Sequence, residues 1–319
     1  MFRIIIGLCV ASIVWAQHPY KKHFVSFVTQ NDGYVFPMID RYYTAGHSLL
    51  YASAEESGGG IIGWIDGNHS FNLAISQSIY TAKSKFATTP SPQDHRYASF
   101  MTLSAFVTNR NLEWLENIGL LVGVGGKWSF GQEVQNGIHQ MMGVGLANGW
   151  GTQIADEWVA NLYYDLTYRY RVFEGEALGL EVLPNLEFAF GNLNVYGKAE
   201  VFVRIGHHLD STFLPRGVIG EGGGLQSGRV YADGLGVFAF VGIGGAYVLR
   251  NMAIEGNLFA PRGGIYEADL MHWVGKFRGG VSIVSGVLNT SYEIIYTSKE
   301  FKQQDGWHFV GSISLSCSF

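Results

Sequence analysis

The chain has 319 residues, 21 Lys+Arg against 26 Asp+Glu, and a formal net charge of -5. Only 15% is charged, while 47% is hydrophobic, 14% is aromatic and 43 residues are glycine; an ordinary soluble domain has about 25% charged residues and about 7% Gly. No basic excess is present to meet nucleic-acid phosphates, and no segment is polar and biased enough for a disordered tail or a coiled coil.

The first segment, MFRIIIGLCVASIVWAQHPY, sets Arg3 before an apolar run from Ile4 to Val14, with Val14 and Ala16 in the small-residue positions of a cleavage site. It reads as a secretory signal over 1–16, leaving 17–319 as one exported domain. Cys9 falls in the signal, so Cys317 alone remains and no disulfide or Cys-based metal site is expected. No later stretch approaches 18 uninterrupted apolar residues, so the hydrophobicity belongs in strands rather than spanning helices.

Period-2 patterns predict strands at 23–30, 42–52, 69–80, 97–108, 113–126, 157–171, 177–189, 195–206, 235–248, 252–260, 272–285, 288–299 and 308–319. In the last of these, Phe309, Ile313, Leu315, Cys317 and Phe319 alternate with Ser312, Ser314, Ser316 and Ser318. Val195, Ala199, Val201, Val203 and Ile205 alternate likewise with Tyr196, Lys198, Glu200, Phe202 and Arg204. An apolar face toward lipid and a small polar face inward is the pattern of an all-β, antiparallel transmembrane β-barrel, with aromatics for its two interfacial girdles. Such a barrel takes an even strand number. Twelve is therefore expected, with the surplus strand sought between 157 and 206. Asn109-Arg110-Asn111 and Arg250-Asn251 read as periplasmic hairpins, and 31–41, 81–96 and 127–156 as outer connections, where chemistry is expected.

Within 127–156, Gln132–Met142 has helical spacing. Gln132, Asn136 and His139 share one face, and Val134, Ile138 and Met141 another. A short helix in an outer-side loop thus offers His139. The other outer connections offer Asn31-Asp32, Lys83, Lys85 and Asp40-Arg41 leading to Thr44; Asp40-Arg41 reads as a structural ion pair. Oxygen donors from Asn, Asp and Thr suit a hard cation such as calcium, and a neutral His takes a proton from water. Together they are equipment for ester hydrolysis. No G-x-S-x-G segment supports a lipase-type nucleophile.

At these residues the sequence resembles the outer-membrane lipid A 3′-O-deacylase family. The resemblance is carried by Gln30-Asn31-Asp32, by Asp40 to Gly46 (DRYYTAG), by Gln77 to Thr81 and by Asp94 to Ala98. It continues through Gly131 to His139 (GQEVQNGIH), Gly149 to Glu157, Arg250-Asn251, Gly256-Asn257 and Thr297 to Phe301, covering nearly the whole exported chain. It implies a twelve-stranded monomeric barrel in the cell outer membrane. It also implies a Ca2+-dependent hydrolase that removes the 3′-linked acyloxyacyl chain of lipid A in lipopolysaccharide. Carried over by position, His139 is the water-activating base, and Asn31, Asp32 and Thr44 surround the cation and the oxyanion. The family Lys falls to Lys83 or Lys85, Lys83 on the catalytic side and Lys85 with Gln135 and Asn136 toward substrate. The sequence departs from the family where a Glu follows the His by six or seven residues: Gly145 and Leu146 stand there, with Glu133, Asp156 and Glu157 as candidate replacements. The competing reading from another class is a passive pore, or an adhesin barrel without catalysis.

Overall fold

The computed structural model describes residues 19–36, 39–58, 62–213, 219, 234–260 and 268–319; the expected signal at 1–16 lies outside them. In chain order the strands are β1 (Phe24–Asn31), β2 (Tyr42–Ala52), β3 (Glu56–Gly58), β4 (Gly67–Thr81), β5 (Ala98–Arg110), β6 (Trp114–Gly125) and β7 (Glu157–Tyr168). They continue as β8 (Tyr170–Glu174), β9 (Gly179–Gly191), β10 (Asn194–His207), β11 (Leu235–Asn251), β12 (Trp273–Ser285), β13 (Leu288–Thr297) and β14 (His308–Ser318). Two of the fourteen are continuations of interrupted strands. β3 carries on from β2 along β4, and β8 carries on from β7 along β9. Twelve antiparallel strands therefore make the wall, and β14 on β1 closes the ring, from Phe24 opposite Ser318 to Asn31 opposite Gly311. Closure pairs the edges that lipid could not satisfy. No described helix is long and apolar enough to cross a membrane; the strands do so, and the protein is an integral outer-membrane barrel.

The period-2 pattern explains the wall. In β14, Ser312, Ser314 and Ser316 are buried inward while Ile313 and Leu315 are exposed outward. Aromatic pairs mark both rims, Trp114 with Tyr168 at one and Tyr247 with Trp273 and Tyr296 with Trp307 at the other. The inward face also carries buried ion pairs: Lys198–Glu187 at 3.0 Å, Arg278–Glu293 at 2.5 Å and Arg204–Glu181 at 2.5 Å.

The surplus strand is 252–260, not one of those between 157 and 206. Asn251 accepts a hydrogen bond from the Ala253 N–H while Glu255 accepts from the Asn251 N–H, which starts a one-turn helix α2 (Met252–Glu255). Met252, Ala253 and Ile254 are buried, so their apolar run is a plug and not a lipid-facing row. The turns near 175 and 192 then fall at opposite ends. Arg250-Asn251 lies at the end that also carries 32–41, 82–97 and 126–156, contrary to the periplasmic assignment, whereas Asn109–Asn111 lies at the other.

Candidate active site

On β2, β4 and β5 the outward row is exposed at Leu49, Ile75 and Leu103, then becomes buried toward the loop end at Ala45, Ile79 and Ser99. The cover is helix α1 (Gly131–Met142) with the loop after it: Val134 packs on a cluster of Ala45, Ile79, Ala82, Tyr97, Ala147 and Trp150. The helix therefore lies against the outside of the wall, not over its mouth. Its close approach depends on Gly131, where a Cβ would sit 2.2 Å from Ser99 Oγ and 2.9 Å from the Trp150 ring. Gly143, at φ +67°, ends it in the left-handed conformation, and the Val144 N–H returns to the His139 carbonyl at 2.9 Å.

Beneath α1, the β2–β4 ladder slips at Thr44: Tyr43 faces Tyr80 and Ala45 faces Ile79, which leaves Thr44 as an unpaired bulge residue. Tyr42 before it holds φ +60°. A bulge re-aims a side chain, and here the Thr44 hydroxyl bonds both Asp32 Oδ1 (3.4 Å) and Asp40 Oδ1. Asp40 is the hub. Its Oδ1 also accepts from Gln135 Nε2 at 2.9 Å, and its Oδ2 lies 3.0 Å from both Lys85 Nζ and His139 Nε2. An ionised carboxylate only accepts, so Nε2 of His139 carries a proton, and in the neutral ring the lone pair is on Nδ1. That Nδ1 is buried and has no hydrogen-bond partner among the described residues. Gln135 is held in turn by the Trp150 indole N–H at 2.9 Å.

Asp32 is 1% exposed and accepts from the Gly33 N–H (2.9 Å), the Arg41 N–H (2.8 Å) and Thr44. Among the described residues no Lys, Arg or His pairs with it. Burial pushes its carboxyl well above the usual carboxylate range; the Arg41 N–H pulls back, the Asp40 charge pushes further up, and the Gly33 N–H and Thr44 hydroxyl pull back again. Asn31 caps the same turn, accepting from the Gly33 N–H at 2.7 Å.

The fold thus brings together Asn31, Asp32, Thr44, Lys85, Gln135 and His139. Asn136 is occupied elsewhere, holding the N–H and carbonyl of Ala147. Lys83 lies apart, ion-paired with Asp305 at 2.6 Å. Asp40 was missed: it bonds the site and not Arg41, whose guanidinium reaches Asp305 at 3.8 Å instead. The available signal was Asp40 four residues before Thr44, but only the bulge turns both toward α1. The candidate replacements for the family Glu are engaged or remote. Asp156 accepts from the Trp128 N–H, Glu157 from the N–H groups of Phe259 and Ala260, and Glu133 is exposed.

For a hard cation the fit rests on Asp32. It is a buried carboxylate short of positive charge, beside a hydroxyl, an amide oxygen and a second carboxylate, which is the donor chemistry calcium takes. Among the described residues no group of three or more His, Cys, Asp or Glu gathers at metal-binding range. A calcium shell of six to eight oxygens here therefore needs backbone carbonyls, water or substrate as well.

The model of a family described as "Outer membrane protein LpxR" matches residues 3–319. Among solved structures, LpxR from Salmonella typhimurium is similar with a TM-score of 0.78 at 18% identity, over 93% of this chain and 100% of that one. The β domain of the Bordetella autotransporter BrkA gives 0.48 at 10% identity, over 93% and 99%. No curated protein sequence matches significantly.

Proposed function

The chain belongs to the family of outer membrane protein LpxR, and from that premise we propose that it is a lipid A-modifying hydrolase of the outer membrane, a calcium-dependent 3′-O-deacylase. The observation that carries the reading is the Asp40–His139 pair on the lipid side of the wall. Asp40 accepts the hydrogen bond from the Nε2–H and fixes the ring, so Nδ1 is the base that removes a proton from water. The water oxygen then bonds to the acyl carbon. The bond from that carbon to the sugar oxygen breaks, His139 returns the proton to the sugar oxygen, and a fatty acid leaves. Lys85 balances the Asp40 charge beside the reacting groups, and Gln135 and Thr44 hold the carboxylate still. Asp32, Asn31 and Thr44 would hold the calcium, which when bound would polarise the ester carbonyl. Lipid A or lipopolysaccharide is the partner, reached sideways from the leaflet. The buried ion pairs on the inward face weigh against a passive pore.

The test is the mass spectrum of lipid A from cells carrying wild type or His139→Ala, with calcium chelated and restored. Loss of the 3′ acyl group only with wild type is expected. Unchanged lipid A with folded wild-type protein present refutes the reading.

A further inference from the structure

The lipid-facing wall is not evenly convex. Across β11 to β14 it opens into an apolar groove of about 880 Å3. Val241 and Ile243 bound one side, Tyr296, Trp307 and Phe309 the other, and Gly275 and Gly279 flank Phe277 between them. Phe277 faces Ile243 and Tyr296 in the two ladders, four residues into β12 from the loop end, and the groove runs from the loop-side rim at Trp307 and Tyr296 to mid-wall at Val281.

One wall of the groove is a stack of rings. Trp307 stacks on Tyr296 at 4.1 Å between centroids, Tyr296 meets Phe309 at 4.2 Å, and Phe309 meets Phe36 edge-on at 5.4 Å. Phe36 follows the turn that holds Asp32. The Tyr292 hydroxyl donates to the Tyr34 carbonyl at 3.2 Å, and Tyr34 stands over Gly311. Since β14 neighbours β1, about 5 Å of wall separates the groove's edge from the strand leading into Asp32.

We propose that this groove is a subsite for an acyl chain of the saccharolipid substrate, a chain that is held and not cleaved. The inference rests on the deacylase reading of the Asp40–His139 site. The groove is continuous with the lipid-facing wall, so what fills it is hydrocarbon, and its aromatic side at Tyr296, Trp307 and Phe309 opens at the loop end, where the site lies. Its rigid aromatic side makes a fixed channel, and ring contact joins that side to the Asp32 turn. A chain seated there fixes the sugar headgroup at the rim beside Asp32.

The experiment uses the full chain in liposomes with lipid A carrying a diazirine on an acyl chain other than the 3′ one. After irradiation and digestion, adducts are mapped. They are expected to concentrate on 273–283, 292–296 and 307–309 over the 71–75 and 101–105 wall. They should fall several-fold in Gly275→Leu/Gly279→Leu, where an added Cβ meets nothing nearer than 3.9 Å and 3.7 Å. The same variant should raise KM for acyl release several-fold at unchanged kcat. Even labelling around the barrel, or labelling unchanged by the filled groove, overturns the proposal. Equal labelling by a diazirine phospholipid overturns the substrate as its source and leaves an ordinary lipid contact. The adduct map does not depend on turnover, so failure of the deacylase reading shows separately, as absent acyl release with an intact map.

Discussion

Asp40→Asn tests the site most directly. The Asp40 carboxylate accepts four hydrogen bonds, from Thr44, Gln135, Lys85 and His139, and its side chain is only 7% exposed. Asparagine keeps one acceptor oxygen and presents an NH2 group to the other pair of donors, so at least two bonds are lost. Charge-assisted bonds contribute about 1.5–3 kcal/mol each, and Lys85 is left without its counter-charge. A stability loss of about 3 kcal/mol is expected. His139 loses the acceptor that sets its tautomer. That kind of loss lowers rates by about 10-fold to 10⁴-fold where it has been measured in other sites. The assay pairs heat-modifiable migration, which reports the folded barrel, with mass-spectrometric acyl release. Adding Lys85→Met to Asp40→Asn removes the orphaned ammonium and should recover about half the stability without recovering kcat. Acyl release within about threefold of wild type from folded Asp40→Asn would refute the dyad.

Further outcomes follow from the same geometry. His139→Gln should abolish acyl release while thermal unfolding of the barrel shifts little, because the wall does not depend on the ring. Lys85→Met should lower acyl release at least tenfold, whereas Lys83→Met, which loses only an exposed pair with Asp305, should stay near wild type on the same substrate. His95 is held neutral by burial, its pKa down to about 4 from 6.5, with the charges of His308 and Arg96 also lowering it against the Arg96 carbonyl. The unfolded chain therefore binds a proton between pH 6.5 and 4 that the folded chain refuses. Stability falls by about 3 kcal/mol as pH drops through that window. Urea midpoints at pH 7 and 4.5 should show this, and His95→Phe should make the fall shallower. Gly131→Ala should push α1 off Ser99 and Trp150, seen as faster proteolysis of the 126–156 connection together with lost activity.

The wall was legible because strand alternation is a local signal: one row meets lipid, the next does not, and the Ser row of β14 states it plainly. The error at 252–260 was also local. An Asn-capped turn and a short apolar strand share the composition of Met252-Ala253-Ile254, and only the buried mouth they fill distinguishes them. The site was half legible. His139 stood out because a helix was readable, and Asn31, Asp32 and Thr44 because oxygen donors gather in the outer connections, their roles coming from the family resemblance. Asp40 was misassigned because sequence adjacency suggested Arg41 as its partner, while a single bulge at Thr44 turns it toward a helix almost a hundred residues on. The choice between Lys83 and Lys85 likewise depends on which way the loop after β4 faces, and residue order carries no trace of that.

The Asp32 turn leans on the barrel's seam. It begins where β1 ends, is tied to the start of β2 through Arg41 and Thr44, and rests on Tyr292 and Gly311 near the chain's last strand. The last two supports reach the turn only when β14 zips onto β1. A chain whose last strand has not yet reached its first therefore carries Asn31 and Asp32 but lacks the Tyr292 and Gly311 supports under their turn.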